Sequence, residues 1–280
     1  MTVIVETNTT GAVHLPETGS GSRDAVIRVR GLMKRFPHQT IYNGLDLDVM
    51  KGEVLGIVGG SGQGKSVLLR CITGLEPVQG GSIEVFGQDM ARLSKASRRR
   101  VEARWGVLFQ DGALFGALSV LQNIQVPMRE HTRLSQSTMD ELAYLKINMV
   151  GLPENAAHKK PSELSGGMRK RAGLARALAL DPEVVFLDEP TAGLDPIGAA
   201  AFDHLIRRLQ KTLGLTVYMV THDLDSLFAI CGRVAVLAEG RIFQTGSPSE
   251  LQAEPKHPWI AEYFRGERAK RLMPDAVVIH

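Results

Sequence analysis

The chain has 280 residues, 44% of them hydrophobic, which is enough to form a sizeable core. Its formal net charge is only +3, with acidic and basic residues interspersed, so the composition gives no support for nucleic-acid binding. No apolar stretch approaches the roughly 20 residues that span a bilayer, and residues 1–24 lack the pattern of a signal peptide. Together with two cysteines that lack metal or redox spacing, Cys71 and Cys231, these features predict a soluble, cytoplasmic protein.

The first half of the chain predicts a leader followed by strands. Residues 1–24 are rich in Thr, Gly, Ser and Glu and are expected to be flexible. Strand-like patterns, either alternating or continuously apolar, follow at residues 25–30, 45–49, 54–58, 81–85 and 106–109.

The second half begins with a segment of different character. Residues from about 120 to 165 lack strand patterns and are predicted to form an inserted helical subdomain. Within it, Thr138 and Glu141 form a capping-box pattern ahead of apolar residues at helical spacing, which are Leu142, Leu145 and Met149.

Two buried strands are then predicted, at residues 184–187 and 216–220, with a helix between them that ends at Gly214. The apolar face of that helix is formed by Phe202, Leu205, Ile206, Leu209 and Leu213. Alternation of buried strands and amphipathic helices predicts an α/β core that binds ligands at the carboxyl ends of its strands.

A phosphate-binding loop of the form G-x-x-x-x-G-K-[ST] follows the apolar run at residues 54–58 and precedes a helical pattern. Its residues are Gly59, Gly60, Ser61, Gly62, Gln63, Gly64, Lys65 and Ser66. The glycines allow backbone N–H groups to surround phosphate oxygens, Lys65 supplies a positive charge, and the Ser66 hydroxyl can ligate Mg²⁺. A glycine-rich turn with a solvated lysine is the alternative, and both flanking patterns disfavour it. The loop predicts binding of a nucleoside triphosphate.

A second chemical feature is the carboxylate pair Asp188 and Glu189 at the end of the apolar run 184–187. Asp188 is placed to hold Mg²⁺, and Glu189 to orient or deprotonate an attacking water. A surface acidic pair without function is the alternative, which the phosphate loop upstream disfavours.

These motifs resemble the nucleotide-binding subunit of an ABC transporter. The family's other motifs occur in the same order, at Phe36, Gln110, residues 164–168, residues 193–195 and His222. The resemblance covers residues 25–250 and implies a RecA-like P-loop NTPase core with an antiparallel β subdomain and an inserted α-helical subdomain. It also implies an ATPase that uses ATP and Mg²⁺.

The resemblance implies a role for each motif around the chain's own nucleotide. Phe36 would stack on adenine, although Tyr42 lies nearby and an aromatic residue before a strand is often part of the core. Gln110 would reach Mg²⁺ and the attacking water while its loop contacts the membrane partner. His222 would act as a hydrolysis switch near the γ-phosphate and Glu189.

The resemblance also implies a homodimer. The segment Leu164-Ser165-Gly166-Gly167-Met168 is the family signature, and Ser165, Gly166 and Gly167 would form an anion-binding helix start. In the family this start faces the nucleotide held by the second subunit. Asp195, in the Gly-Leu-Asp motif, is a further candidate for the nucleotide site.

Three segments narrow the resemblance to the Mla/Mce-type lipid-transport ATPases: residues 109–115, 127–132 and 164–168, the last with Met168 where the usual signature has Gln. This resemblance implies a membrane permease docked near Gln110, a Mce-type lipid-binding protein in the same complex, and a location on the inner face of the cell membrane. Other transporters for small polar solutes, a soluble non-transport ABC protein and an inactive regulatory module are the alternatives. The presence of Lys65, Glu189 and His222 disfavours the inactive module.

Residues 251–280 form a tail beyond the predicted ATPase domain. Trp259, Ile260, Tyr263 and Phe264 have helical spacing, with basic residues after them. Such an apolar stripe either folds back on its own domain or docks on the neighbouring subunit to strengthen the dimer. Contact of the basic end with anionic lipid is a further alternative.

Overall fold

The computed structural model describes residues 25–266. Its strands are β1 (Ala25–Phe36), β2 (Gln39–Met50), β3 (Val54–Val58), β4 (Gly80–Val85), β5 (Gln88–Asp89), β6 (Trp105–Leu108), β7 (Val184–Asp188), β8 (Thr216–Val220), β9 (Arg233–Ala238) and β10 (Arg241–Gly246). Its helices are α1 (Lys65–Ile72), α2 (Lys95–Glu102), α3 (Val120–His131), α4 (Gln136–Met149), α5 (Gly166–Ala177), α6 (Pro196–Leu213), α7 (Leu224–Ile230), α8 (Pro248–Ala253) and α9 (Pro258–Arg265).

A six-stranded sheet forms the centre, in the order β10-β9-β3-β8-β7-β6. All pairs are parallel except the edge pair of β10 with β9. Strands β3, β7 and β8 are buried at every residue, which explains their continuous apolar sequences. Because parallel strands end at the same edge, this sheet brings the phosphate loop after β3 and the carboxylates after β7 to one side.

A second, antiparallel sheet in the order β2-β1-β4-β5 packs with α1 on one face of the central sheet. The other face is covered by α3, α4, α5, α6 and α7. Strands β1 and β2 are longer than residues 25–30 and 45–49, which the alternation alone predicted. Register shifts around Gly31, which has φ +56°, interrupt the alternation while pairing continues beyond them.

The helix predicted after Thr138 is present as α4, but its predicted cap was wrong and one of its three predicted apolar contacts is missing. Ser135, rather than Thr138, is the N-cap, and its side chain accepts a hydrogen bond from the Thr138 backbone N–H. The helix therefore starts earlier. Leu142 and Met149 pack against the core as predicted, whereas Leu145 is exposed. The fully buried face is formed by Met139, Ala143, Lys146 and Ile147. A hydroxyl residue stands at both positions, so the local pattern alone does not choose between them.

Helix α6 follows its prediction closely. Asp195 caps its start, and Gly214 ends it in the left-handed conformation with φ +66°. Phe202, Leu205, Ile206 and Leu209 are buried as predicted, and only Leu213, in the last turn, is exposed.

The tail helix α9 folds back on its own domain. Ile260 and Phe264 are fully buried in the same core as Leu251, and the rings of Phe264 and Phe228 lie 6.3 Å apart. Ile260 and Phe264 are therefore not available to a neighbouring subunit, while Trp259 and Tyr263 are partly buried against the same core. Docking of the tail on a neighbouring subunit stays a prediction. The leader 1–24 and the basic residues Arg268, Lys270 and Arg271 lie outside the described residues. Within residues 25–266, no helix has both the length and the apolar character needed to cross a membrane.

Candidate active site

The phosphate loop connects the end of β3 to the start of α1, and two of its glycines are required by close approach. A Cβ on Gly59 would lie 2.2 Å from the Leu237 carbonyl oxygen. A Cβ on Gly64, which has φ +96°, would lie 2.5 Å from Ile41 Cγ2. Gly64 is also the N-cap of α1 and supplies no side-chain cap, so the first N–H groups of the helix are left for an anion.

Lys65 lies over this loop. Its Nζ donates to the carbonyl oxygens of Gly59 at 2.8 Å and Gly60 at 3.0 Å. Partial burial lowers the pKa of Lys65, and the charges of Glu189 and Asp188 oppose that shift. The ammonium is thus held beside the loop amides, where it complements a bound phosphate chain.

Ser66 and Asp188 meet at the mouth of the loop. The Ser66 hydroxyl donates to Asp188 Oδ1 at 2.9 Å, and Asp188 is the last residue of β7 and is buried. A hydroxyl and a carboxylate oxygen this close provide the few hard oxygen ligands that Mg²⁺ takes from a protein when phosphates and water complete its shell. The donor set therefore fits Mg²⁺.

Glu189 and His222 are brought together by the parallel pairing of β7 with β8. His222 Nδ1 lies 2.9 Å from Glu189 Oε2. The Glu189 backbone has φ +50°, a conformation uncommon for a residue with a side chain. Its N–H donates to the Val220 carbonyl at 2.9 Å, which anchors the turn after β7 to the neighbouring strand.

Gln110 follows β6 and is exposed. Its carbonyl oxygen accepts a hydrogen bond from the buried Lys170 of α5, whose Nζ also donates to the carbonyl of Glu189 at 2.8 Å. Sequence reasoning missed Lys170, because nothing in its local pattern marks a lysine in mid-helix as buried.

Phe36 and Tyr42 are the two aromatic candidates for stacking on adenine, and they differ in how much of each side chain is exposed. Phe36 ends β1, is about one-third exposed, and has Lys34 Nζ 4.6 Å from its ring centroid. Tyr42 is buried, and its hydroxyl donates to the Gly64 carbonyl. Tyr42 therefore belongs to the core and supports the phosphate loop, which leaves Phe36 as the candidate for a base.

The signature lies apart from the chain's own phosphate loop. Ser165 is the N-cap of α5 and accepts from the Met168 N–H, while Gly166 and Gly167 form its first turn. Among residues 25–266, none of the signature's hydrogen bonds reaches the phosphate loop. Asp195 likewise accepts from the Gly198 N–H as the cap of α6. In the part of the chain that the structure describes, no hydrogen bond joins Ser165, Gly166, Gly167 or Asp195 to the phosphate loop, to Glu189 or to His222.

A cavity of about 560 Å³ lies behind Glu189 and His222 and is lined by Asp203. Asp203 Oδ2 accepts from the Ser226 hydroxyl at 2.7 Å, and Ser226 is also 3.2 Å from Asp223 Oδ2. Burial raises the pKa of Asp203 to about 6, because solvent no longer stabilises the carboxylate. Sequence reasoning missed Asp203, because an acidic residue beside the apolar face of a helix is ordinary and its burial is not marked by any local pattern.

A family model described as "ABC transporter" matches residues 42–192, a range that includes the phosphate loop, the signature and both carboxylates. The chain belongs to the ABC transporter family.

Curated ABC proteins match over most of the chain. One from Haemophilus influenzae, named "Intermembrane phospholipid transport system ATP-binding protein MlaF", is 38% identical over 86% of this chain and 91% of its own length. A "Probable ribonucleotide transport ATP-binding protein mkl" of Mycobacterium leprae is 38% identical over 86% of this chain and 69% of its own length. A "Methionine import ATP-binding protein MetN" of Streptomyces griseus is 37% identical over 85% of this chain and 69% of its own length. The three names differ in the transported molecule.

Solved ABC cassettes share the fold. The dimeric structure of the cassette MJ0796 has a TM-score of 0.73 and 27% identity, covering 79% of this chain and 98% of that one. The structure of cbiO1 from Clostridium perfringens has a TM-score of 0.74 and 31% identity, covering 89% and 99%. A further MJ0796 structure is described as a post-hydrolysis dimer bound to ADP and Pi. The predicted ABC ATPase fold is confirmed. The chain is an ATP-binding ATPase coupled to transport.

Proposed function

We propose that this chain is the ATP-hydrolysing subunit of a Mla/Mce-type lipid transporter and that its cargo is phospholipid. The observation that carries the proposal is the 38% identity to the phospholipid-transport protein MlaF over 91% of that protein's length. The segments 109–115, 127–132 and 164–168 support it. A transporter of a small polar solute is the second candidate, favoured by the comparable identity to the mkl and MetN proteins.

In the hydrolysis reaction, Glu189 orients or deprotonates the attacking water, and His222 fixes the Glu189 carboxylate and reaches the γ-phosphate. Lys65 and the loop amides hold the β- and γ-phosphates. Ser66, Asp188 and Gln110 would hold Mg²⁺, which when bound neutralises charge on the phosphate oxygens. The 2.9 Å contacts of Ser66 with Asp188 and of His222 with Glu189 support this division of roles.

Two copies are needed to complete each site. Ser165 is exposed at the start of α5 and lies apart from the chain's own loop, so its helix start is free to face a phosphate from outside the chain. A homodimer places the signature of each subunit against the nucleotide of the other, with Asp195 near the interface. ATP binding then closes the dimer, and release of phosphate reopens it.

A groove beside the segment after Gln110 is a suitable docking site for a loop of the permease. The groove has a volume of about 360 Å³ and is lined by Leu75, Phe109, Pro127 and Arg176, among others. Leu75 is 60% exposed, and Phe115, whose ring lies 5.9 Å from the Arg176 guanidinium, is 52% exposed. Exposed apolar side chains beside a groove favour a protein partner over solvent. We assign this surface to the permease and place the subunit on the cytoplasmic face of the cell membrane.

Purification of the tagged chain from detergent-solubilised membranes tests this proposal, with mass spectrometry of the bound proteins and lipids. We expect a permease, a Mce-type lipid-binding protein and phospholipid. A permease accompanied by a binding protein for a polar solute would favour the second candidate. Ribosomal or DNA-associated proteins without a permease would contradict a role in transport.

A further inference from the structure

Lys170 is a buried cation that contacts two loops of the site. Only 6% of the residue is exposed, and its Nζ donates to the carbonyl of Gln110 and, at 2.8 Å, to the carbonyl of Glu189. Within residues 25–266, it forms no ion pair within salt-bridge distance. Burial lowers the pKa of Lys170, and the nearby charges of Asp111, Glu189 and Asp188 oppose that shift. The two backbone carbonyls are the hydrogen-bond acceptors that fix the position of its ammonium.

The two carbonyls belong to residues whose side chains are candidates for the chemistry. Gln110 and Glu189 follow the neighbouring strands β6 and β7. Glu189 also has φ +50°, and such a backbone persists only where surrounding contacts determine it. The hydrogen bond from Lys170 to its carbonyl is one of those contacts. Lys170 is therefore one of the contacts that fix the backbone from which the Glu189 carboxylate projects.

Helix α5 holds Lys170 rigidly in place. At Gly173 the helix approaches the loop so closely that a Cβ would lie 2.7 Å from Leu108 Cδ1 and 3.1 Å from Gly112 Cα. One turn further, Arg176 donates to the carbonyls of Gly112 and Ala113. The same helix thus starts at the signature and holds the loop after β6 along its length.

We propose that Lys170 is a positioning residue for ATP hydrolysis: it holds the Gln110 and Glu189 backbones together so that the carboxylate of Glu189 faces the attacking water. The proposal rests on the family's ATPase activity and does not depend on the cargo. It distinguishes Lys170 from Lys65, because Lys170 acts on the residues that direct water rather than on the phosphates.

The test compares Lys170→Met, Lys170→Gln and Lys170→Arg in the purified chain. Turnover, the Kd for ATP and the unfolding midpoint are measured for each. Lys146→Met is the matched control: Lys146 is another buried lysine, bound to Asp181 at 2.5 Å in the helical segment away from the site. Turnover by the parent chain establishes that the ATPase itself is active.

We expect Lys170→Met to lower kcat by about 10- to 100-fold, the scale on which a small misplacement of a reacting group acts. Its Kd for ATP should stay within about twofold of the parent, since no phosphate contact is lost. Lys170→Arg should recover much of the rate, and Lys146→Met should leave kcat unchanged.

A second measurement places the effect on the loop after β6. Gln110→Ala keeps the carbonyl that accepts from Lys170 but removes the side chain that this contact positions. In this background, Lys170→Met should lower kcat by a smaller factor than in the parent, because the part of the effect that acts through the Gln110 side chain is already lost. Unchanged kcat in Lys170→Met would overturn the proposal. So would a loss of ATP binding equal to the loss of rate, or failure of both Lys170→Met and Lys170→Gln to fold, since each result would assign Lys170 a purely structural role.

Discussion

His222 Nδ1 and Glu189 Oε2 lie 2.9 Å apart, although His222 is 70% exposed and the Glu189 side chain only 14%. The carboxylate is thus fixed at the sheet edge, while the imidazole extends from it towards solvent. Neighbouring parallel strands produce this arrangement, because β7 ends in Asp188 and β8 in Val220, just before the two residues. An exposed imidazole on a fixed carboxylate can respond to a phosphate that arrives from outside.

If Glu189 acts on the attacking water, its substitution should affect ATP turnover without affecting ATP binding. Glu189→Gln keeps the shape of the side chain but removes its charge, so ATP should bind with unchanged affinity while kcat falls by about two to three orders of magnitude. Glu183→Gln, at an exposed glutamate paired with Arg104 just before the same strand, is the control and should keep full turnover. Near-normal turnover of Glu189→Gln would contradict the role.

Two glycines of the phosphate loop should respond differently to alanine. A Cβ on Gly60 would meet only ordinary contacts, at 3.6 Å from Gln63 Cγ and 3.7 Å from Trp259 Nε1, so Gly60→Ala should keep most of its ATP affinity. Gly64→Ala would strain a φ of +96° and collide with Ile41 and Tyr42. We expect it to lose ATP binding, measured by calorimetry. Equal effects of the two substitutions would contradict the loop geometry.

The raised pKa of Asp203 predicts that the free energy of unfolding depends on pH in a specific way. Its pKa is about 6 in the fold against an ordinary value of 3.8, so the native state binds this proton more tightly than the unfolded chain. The stability it contributes is fully present below about pH 4 and is lost as the pH rises through 6. Relative to the parent, Asp203→Asn should therefore gain on the order of 2 kcal/mol of unfolding free energy between pH 4 and pH 7. Urea titrations measure this difference, and one that is constant with pH would refute it.

The exposed ring of Phe115 is predicted to contribute to permease binding. Phe115→Ser should reduce the permease recovered with the tagged chain by roughly tenfold, because an exposed aromatic anchor at an interface often supplies more than 1 kcal/mol. Leu145→Ser is the matched control, since Leu145 is 53% exposed on α4 and Phe115 is 52% exposed. Equal recovery of permease with both variants would show that the docking surface lies elsewhere.

Features formed by residues close together in the sequence could be predicted from the sequence alone. The phosphate loop was predictable because glycines at fixed positions, an apolar strand before them and a helix after them follow from the geometry of phosphate binding. The end of α6 at Gly214 was predictable for a similar reason, because the left-handed conformation at a helix end favours glycine.

Contacts between distant segments were not predictable in this way. Tyr42 and Gly64 are 22 residues apart, and Lys170 and Gln110 are 60 residues apart, so no local pattern joins either pair. The pairing of β1 with β2 brings Tyr42 to the loop, and the packing of α5 on β6 brings Lys170 to Gln110. Asp203 and Ser226 meet for the same reason, through the contact of α6 with α7.

A lipid-transport cargo is tested directly by ATP-driven movement of a labelled phospholipid by the purified complex reconstituted in liposomes. We expect lipid transfer that requires ATP and is abolished when the complex carries Glu189→Gln. ATP-dependent uptake of methionine or a ribonucleotide, without movement of phospholipid, would contradict the lipid assignment and leave the ATPase assignment in place.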